Sequence, residues 1–236
     1  NTKVLLPDLN AGCSLADSAP EAEFIAFKNQ YPDAVVVSYI NCSSEIKAQS
    51  DYICTSSNAI EIVNAIPKDK RIIFAPDKNL GMFVQKMTGR ELILWDGACI
   101  VHVNISMDKL EALQLKHPDA ELIAHPECLP ELLNKASFIG STSALLNYVQ
   151  SSSSDKFIVA TEAGILYKMK QLVPNKTIIP APALESNSCA CSECPYMKMN
   201  TLEKLYNALY YELPEIQVNE KTQLGALKAL NNMLAV

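Results

Sequence analysis

The sequence predicts an α/β fold made of repeated units, each with a parallel β-sheet between helices. Two observations lead to this prediction. Short, nearly continuous apolar runs rich in β-branched residues alternate with amphipathic segments, as is typical of strands buried on both faces of a parallel sheet. In addition, the motif Tyr-Pro-Asp-Ala at positions 31–34 returns as His-Pro-Asp-Ala at positions 117–120, 86 residues later. Such spacing indicates a duplicated unit.

The individual elements follow from these patterns. Short apolar runs predict strands at Lys3–Pro7, Ala34–Tyr39, Arg71–Ala75, Glu91–Trp95, Glu121–Ala124, Phe157–Thr161 and Thr177–Pro180. Amphipathic segments predict helices at Glu21–Gln30, Ser57–Ala65, Gly81–Thr88, Asp108–Lys116, Pro130–Lys135, Ser143–Gln150 and Glu162–Leu172. Two more helical patterns, Thr201–Leu213 and Lys221–Leu234, have no strand between them and are predicted to close the fold.

The offset of 86 residues also relates positions that carry polar or sulfur-containing side chains. The matched pairs are Tyr39–Cys42 with His125–Cys128, Cys54–Ser57 with Gly140–Ser143, and Cys13 with Cys99. We therefore predict complete units at residues 20–105 and 106–194, the tail of a third unit at residues 1–19, and closing helices at residues 195–236. A pseudo-threefold arrangement would turn the carboxyl ends of the strands, where open α/β sheets bind ligands, toward one point.

Composition excludes several classes of protein. Hydrophobic residues make up 49% of the 236 residues, which argues against disorder, and the net charge of −6 without a basic run argues against nucleic-acid binding. Apolar runs stay shorter than the roughly 18–20 residues of a membrane span, and the first residues do not form a signal peptide. They also lack an initiator Met, so we expect the sequence to begin inside a longer, cytoplasmic protein.

Cysteines are the first candidate ligands. Eight cysteines without an export signal indicate metal ligands, reactive thiols or core residues rather than disulfides. Cys13, Cys99 and Cys194 each end a unit, and units that face one another would bring their thiols together. Three thiolates far apart in sequence match an iron–sulfur cluster better than a structural zinc site, which usually takes four ligands from local pairs. Such a cluster leaves one iron free as a Lewis acid.

Polar side chains at the ends of equivalent strands are the second set of candidates. Tyr39 and Asn41 follow one strand, and His125 and Glu127 follow its repeat partner. Because side chains alternate along a strand, both members of each pair lie on the same side of it. A histidine two residues before a carboxylate is compatible with acid–base catalysis or with a structural role.

Three further residues extend this set. Ser56 and Thr142 precede helical patterns at equivalent positions of the repeat. Their hydroxyls are expected either to cap those helices or to bind carboxylate or phosphate beside the free N–H groups of a helix N-terminus. His102 follows Cys99 by three residues and is expected to support that ligand.

The ordered motifs resemble the quinolinate synthase family, the A protein of de novo NAD biosynthesis. Those that carry the resemblance are Leu6–Cys13, Tyr39–Asn41, Cys54–Ala59, Pro76–Gly81, Trp95–His102, His125–Cys128, Gly140–Thr142 and Cys194–Glu203. The resemblance implies three pseudo-symmetric α/β/α domains around a [4Fe-4S] cluster. The family's amino-terminal stretch, with a histidine–tyrosine motif and a serine, is not among these motifs.

The resemblance also implies an activity and assigns residues to it. The family condenses iminoaspartate with dihydroxyacetone phosphate to give quinolinate, phosphate and water. Residues at its cluster-ligand positions are Cys13, Cys99 and Cys194. Residues implied to contact substrate are Tyr39, Ile40, Asn41, Ser56, His125, Pro126, Glu127 and Thr142. Tyr39, His125 and Glu127 would take part in catalysis, with Glu127 as general base, and an iminoaspartate-producing enzyme (L-aspartate oxidase or aspartate dehydrogenase) would supply the substrate.

Two alternatives remain at this point. One is a different hydro-lyase that depends on a [4Fe-4S] cluster, which would use the same three thiols on other substrates. The other is a non-enzymatic thiol module, because Cys189, Cys191 and Cys194 lie close enough in sequence to bind zinc or to form a disulfide.

Overall fold

Two parallel β-sheets with helices on both sides confirm the predicted α/β fold. The structure, a computed structural model, describes residues 2–184 and 192–236. The strands of the first sheet are β1 (Val35–Tyr39), β2 (Tyr52–Cys54), β3 (Ile72–Ala75) and β4 (Ile93–Leu94). Those of the second are β5 (Glu121–Ala124), β6 (Phe138–Ile139), β7 (Lys156–Ala160) and β8 (Thr177–Pro180). Their spatial orders, β2-β1-β3-β4 and β6-β5-β7-β8, are equivalent, as expected for a duplication.

The β-branched runs explain the sheets. Val36 and Ile73 pack on one face of the first sheet, while Val37 and Phe74 pack on the other, because successive side chains alternate. All four are fully buried. Burial of each such side chain contributes about 1.5–3 kcal/mol. The second sheet repeats this pattern, with Ile123 on the face opposite its neighbours.

Helices connect the parallel strands. Their bounds are α1 (Ser14–Asp17), α2 (Glu21–Lys28), α3 (Ser44–Ala48), α4 (Ala59–Ala65), α5 (Lys78–Thr88), α6 (Ile100–Val103), α7 (Met107–Lys116), α8 (Pro130–Leu133), α9 (Thr142–Ser151), α10 (Ile165–Leu172), α11 (Pro195–Lys198), α12 (Leu202–Tyr211) and α13 (Glu220–Leu234). Side-chain caps accept a hydrogen bond from the N–H three residues on and fix several of these starts. The capping residues are Ser43, Asp77, Ser106, Ser141, Thr201 and Asn219.

The sequence-based assignment differs from the structure in its shortest elements. The predicted strand Lys3–Pro7 is wrong: only Leu5 forms a bridge, antiparallel to Glu215, because the neighbouring segment offers a single paired position. Strands β2 and β6 were not predicted, since their apolar runs of three and two residues are too short to stand out in the sequence. They begin 86 residues apart, at Tyr52 and Phe138, and so extend the repeat.

The two sheets pack into one framework through shared contacts. Phe83 of α5 packs against the core of the first sheet and also against that of the second. Helix α13 returns to the first sheet and packs on α3 and β2. Within the described ranges, the helices are too short or too polar to cross a lipid bilayer.

Helix α12 carries an exposed apolar face. Side chains three and four residues apart lie on the same side of a helix. The exposed residues on this side of α12 are Leu202, Leu205, Tyr206, Leu209 and Tyr210. The helix lies near the start of the chain, because Leu6 donates its N–H to the carbonyl of Pro214, which follows the helix.

Candidate active site between the two sheets

Each of the three predicted cysteine ligands occupies the same structural position, the N-cap of a four-residue helix. Cys13 precedes α1, Cys99 precedes α6 and Cys194 precedes α11. All three have extended backbone angles and free thiols. A helix N-terminus offers free N–H groups to a negatively charged group, so this position suits the sulfur of a metal ligand. The shared position holds for Cys194 although it departs from the offset of 86.

Two carboxylates hold two of these cysteine helices in the same way. Asp77 accepts hydrogen bonds from the N–H groups of Leu80 (2.7 Å) and Cys99 (3.3 Å). Glu162 accepts them from the N–H groups of Gly164 (2.7 Å) and Cys194 (3.3 Å). Asp77 follows β3 and Glu162 follows β7, which occupy equivalent places in the two sheets. Each carboxylate therefore ties the loop after a central strand to the backbone of a cysteine.

The helices that carry the cysteines lie close to one another. The Ile100 N–H, at the start of α6, donates a hydrogen bond to the Ser14 hydroxyl of α1 (3.3 Å). A Cβ placed on Gly12 would meet the Tyr196 ring of α11 at 4.0 Å, so α11 lies beside the residue before Cys13. Burial raises the pKa of the Cys13 thiol, the neighbouring amides of α1 lower it, and Cys99 and Glu127 raise it further.

His102 and Glu127 form a buried ion pair next to Cys99. His102 Nδ1 lies 2.8 Å from Glu127 Oε2, and His102 Nε2 lies 3.1 Å from the Thr161 hydroxyl. The ligand atoms of Cys99, His102 and Glu127 all lie within 4.8 Å of one another, so these three could hold a metal ion. His102 belongs to the segment after the first sheet, whereas Glu127 and Thr161 follow strands of the second.

Burial and mutual attraction decide the charges of this pair. Burial alone would favour neutral side chains, lowering the pKa of His102 and raising that of Glu127. The nearby Cys99 and Glu127 nevertheless raise the pKa of His102 to about 10, and the two histidines lower the pKa of Glu127 to about 2. Glu127 is therefore an ionised, buried carboxylate at neutral pH, and its Oε1 lacks a hydrogen-bond partner in residues 2–184 and 192–236.

His125 connects this pair to the first sheet. Its ring stacks on His102 at 5.0 Å between centroids, and its Nε2 lies 3.2 Å from the Ser56 hydroxyl. Burial lowers the pKa of His125 to about 4, so the ring is neutral at neutral pH. Tyr39, at the end of β1, lies beside Glu127 and Ser56, and burial together with the Glu127 charge raises the pKa of its hydroxyl, which stays protonated.

The remaining predicted substrate residues surround this centre with different exposure. Pro126 is buried between His125 and Glu127, Ile40 is partly buried, and Asn41 and Thr142 are exposed. The capping role considered for Ser56 and Thr142 is wrong: Asn58 is the N-cap of α4 and Ser141 caps α9. The Ser56 hydroxyl instead contacts His125, and Thr142 is the first residue inside α9.

The other described cysteines are core residues. Cys54 and Cys128 are completely buried, and burial raises the pKa of both thiols. Cys128 donates its S–H to the carbonyl of Ala160 (3.3 Å). Burial also raises the pKa of Cys42 to about 11, with the Lys47 ammonium 3.7 Å from its sulfur. Cys189 and Cys191 lie outside the described residues, so the zinc or disulfide alternative is not tested there.

Sequence reasoning missed three residues of this centre. Asp77 and Glu162 were not singled out, although they follow equivalent strands 85 residues apart, and this near-repeat was an available signal. Thr161 carried no signal, since its contact with His102 depends on how the two sheets pack.

The comparison with known proteins agrees with this geometry. The family model of the quinolinate synthetase A protein (NadA) matches residues 1–235. The chain belongs to the quinolinate synthase family. Since the members of this family are enzymes of NAD biosynthesis, the protein is an enzyme.

Curated members of the quinolinate synthase family are similar along almost the whole chain. The quinolinate synthase of Rippkaea orientalis is 59% identical over 231 residues, which are 98% of this chain and 70% of that relative. The relative from a Nostoc species is 60% identical over 231 residues, 98% of this chain and 71% of the relative. For Trichodesmium erythraeum the identity is 58% over 234 residues, 99% of this chain and 72% of the relative.

Proposed function

We propose that this enzyme condenses iminoaspartate with dihydroxyacetone phosphate to form quinolinate, inorganic phosphate and two water molecules. The observation that carries the proposal is the buried group of His102, His125 and Glu127, which joins an ionised carboxylate to a neutral imidazole. Condensation and dehydration both need proton transfers, and these two groups have the protonation states for them. Family membership supplies the substrate class.

The cysteine geometry fits the [4Fe-4S] cluster that we propose as cofactor. Cys13, Cys99 and Cys194 would hold it, because each has a free thiol at a helix N-terminus and the three helices are neighbours. A bound cluster with three protein ligands supplies a Lewis-acidic iron that assists the loss of hydroxide. Glu127 and His102 lie beside Cys99, one of the residues that would hold the cluster.

The chain's own residues divide the remaining work. Glu127 accepts a proton, since His102 keeps it ionised, and neutral His125 passes protons to or from the substrate. Tyr39 donates a hydrogen bond to the substrate, because its hydroxyl stays protonated. The substrate carboxylate and phosphate oxygens are bound by Asn41, Ser56 and Thr142. Ile40 precedes Asn41 after β1, and Pro126 lies in the loop after β5.

We also propose that residues 1–19 are part of a third unit, next to units at 20–105 and 106–194 and the closing helices at 195–236. The curated relatives are longer than this chain, which spans 70–72% of those described above. The exposed apolar face of α12 and its position beside Leu6 support a missing neighbour at that place. The third unit would complete the pseudo-threefold arrangement.

The proposed setting follows from the substrates. An imine such as iminoaspartate hydrolyses in water, so an L-aspartate oxidase or an aspartate dehydrogenase in the same cytoplasm would supply it. The net charge of −6 argues against nucleic acid as a partner.

The cofactor is tested by iron analysis after anaerobic purification. We expect brown protein with about four irons per chain. Cys99→Ser should remove most of this iron, whereas Cys42→Ser should retain it because Cys42 lies in the core beside Lys47. Colourless protein with stoichiometric zinc, or equal iron in both variants, would contradict the proposed ligand set and favour the thiol module.

The reaction is tested with the chain joined to the portion of the Nostoc relative that it does not cover. Reduced protein given iminoaspartate and dihydroxyacetone phosphate should produce quinolinate, measured by chromatography. The Nostoc enzyme itself is the positive control. A chimera that holds four irons and produces no quinolinate would refute the named reaction and favour another cluster-dependent hydro-lyase.

A further inference from the structure

An ion pair joins the two ends of the chain close to two of the proposed cluster ligands. Lys204, in the first turn of α12, donates a hydrogen bond from Nζ to the carboxylate of Asp8, 196 residues earlier. Asp8 lies in the loop before Cys13, and Lys204 follows the helix that begins at Cys194. The pair therefore connects segments that each carry a cysteine.

Asp8 orders the loop that leads to Cys13. Its Oδ1 accepts a hydrogen bond from the N–H of Asn10 (2.8 Å), and its carbonyl accepts one from the N–H of Ala11 (3.1 Å). Because the Asp8 side chain is only 9% exposed, its charge needs partners. Lys204 and the Asn10 N–H provide them and lower the pKa of Asp8, which is therefore ionised at neutral pH.

Lys204 also holds the end of α11, the helix that begins at Cys194. Its Nζ donates a second hydrogen bond to the carbonyl of Met199 (2.9 Å), which is the C-cap of α11. One ammonium group thus contacts both cysteine-bearing segments. The packing of the same segments agrees, since the Tyr196 ring of α11 lies beside Gly12.

This link differs from those that hold the other cysteines. Asp77 and Glu162 accept the N–H groups of Cys99 and Cys194, and each fixes its cysteine within one unit. Such contacts do not set the distance between cysteines from different units. A hydrogen bond between α1 and α6 joins the helix of Cys13 to that of Cys99 directly. The Cys13 loop is joined to the end of α11 through the Lys204 side chain.

We propose that Lys204 is a positioning residue for the cluster, because it holds the Cys13 loop against the helix of Cys194 through Asp8 and Met199. This inference rests on the three cysteine ligands proposed above and adds what brings two of them together. A site whose ligands are already close binds more tightly, because less conformational entropy is lost on binding. Lys204 should therefore slow the loss of the cluster without being a ligand.

The first test measures how fast the cluster is lost. The chimera with the Nostoc portion is reconstituted anaerobically with iron and sulfide and mixed with excess EDTA, and the release of iron is followed by absorbance. Lys204→Met keeps the aliphatic stem and removes the charge, so iron release should be about fivefold faster. Lys204→Arg keeps the charge and should release iron at close to the unchanged rate.

The matched control is Lys3→Met. Lys3 pairs with Glu212 and so also joins the start of the chain to α12, but these side chains are 56% and 61% exposed and lie farther from the cysteines in sequence. Iron release from Lys3→Met should match that of the unchanged chimera. Equal rates in Lys204→Met and Lys3→Met would overturn the proposal.

The partner of the ion pair gives a second variant, which also serves if Lys204→Met does not fold. Asp8→Asn removes the charge and keeps an oxygen that can accept the Asn10 N–H. It should also speed iron release, and the double variant should be no faster than Lys204→Met alone, because both changes break one contact. Additive effects would show that the two residues act separately and would refute the proposal.

A further measurement does not need the cluster. In the cluster-free chain, a short dimaleimide should join Cys13 to Cys194, and peptide mass spectrometry measures the initial rate of cross-linking. Every chain carries Cys189→Ser and Cys191→Ser, so that Cys194 is the reactive thiol of its segment. Cross-linking should be about fivefold slower in Lys204→Met.

The cross-link separates this inference from the proposed cofactor. Lys3→Met should cross-link at the unchanged rate, and an equal rate in Lys204→Met would overturn the positioning role even if the chimera holds four irons. A chimera without iron would instead refute the proposed cofactor. The cross-link would then decide by itself whether Lys204 holds the two cysteines together.

Discussion

The two sheets have the same architecture but contribute different chemistry to the site between them. Their strand orders are equivalent, and a carboxylate after each central strand holds the backbone of a cysteine. At the strand ends, however, the first sheet supplies the hydroxyls of Tyr39 and Ser56, whereas the second supplies His125 and Glu127. Duplication thus preserved the groups that position the cysteines, while the residues that face the centre diverged.

In the proposed mechanism, proton transfer belongs to the second half, whereas both halves contribute hydroxyls that bind substrate. The Tyr39 hydroxyl of the first sheet keeps its proton at neutral pH, because burial and the Glu127 charge raise its pKa. The pKa of the Glu127 carboxyl is lowered mainly by His102, from the segment after the first sheet, which lies 2.8 Å from it. Neither unit alone would therefore have the protonation states found where they meet.

Removing the charge of Glu127 should have the largest effect. Glu127→Gln keeps the shape of the side chain but removes the proposed base, so kcat for quinolinate formation by the chimera should fall by about 10²–10⁴-fold. Glu131→Gln, an exposed residue of α8, is the matched control and should retain activity. Normal kcat in Glu127→Gln would place proton transfer on another residue.

The two carboxylates that hold the cysteine helices should differ in their contribution to stability. Asp77 accepts hydrogen bonds from two backbone N–H groups, and the amide NH₂ of Asp77→Asn can accept neither. One buried N–H group would therefore lose its partner, which should lower the free energy of unfolding by about 1–3 kcal/mol. Glu162→Gln should cost less, because Glu162 is partly exposed and water can compensate. Urea denaturation of both variants measures the difference, and equal losses would show that burial does not distinguish these positions.

The hydrogen bond between the halves should have the smallest effect. Ser56→Ala removes the hydroxyl that lies 3.2 Å from His125 Nε2 and should lower the free energy of unfolding by about 0.5–1.5 kcal/mol. The control is Ser57→Ala, whose hydroxyl contacts only the nearby Thr55 within the described residues. If both variants unfold at the same urea concentration, the contact between the units contributes nothing measurable.

Much of the fold was predictable because the strong signals are local. Strands such as Ile72–Ala75 were predicted because burial on both faces requires a run of apolar residues. Helices such as Met107–Lys116 were predicted because burial of one face imposes a period on the sequence. Strands β2 and β6 lie in apolar runs of only three and two residues, which do not stand out from their polar neighbours. The Lys3–Pro7 error has the opposite cause: an apolar run forms a strand only where a neighbouring segment can pair with it.

The candidate site was predictable where the repeat marked it. The sequence alone determined the α/β class, the equivalence of Cys13 with Cys99, and the polar strand ends at Tyr39 and His125. Tertiary structure alone decided that His102 pairs with Glu127 and that Lys204 pairs with Asp8. Those outcomes depend on distances between side chains from different units and on the water excluded between them, and neither quantity is encoded in the spacing of residues along one chain.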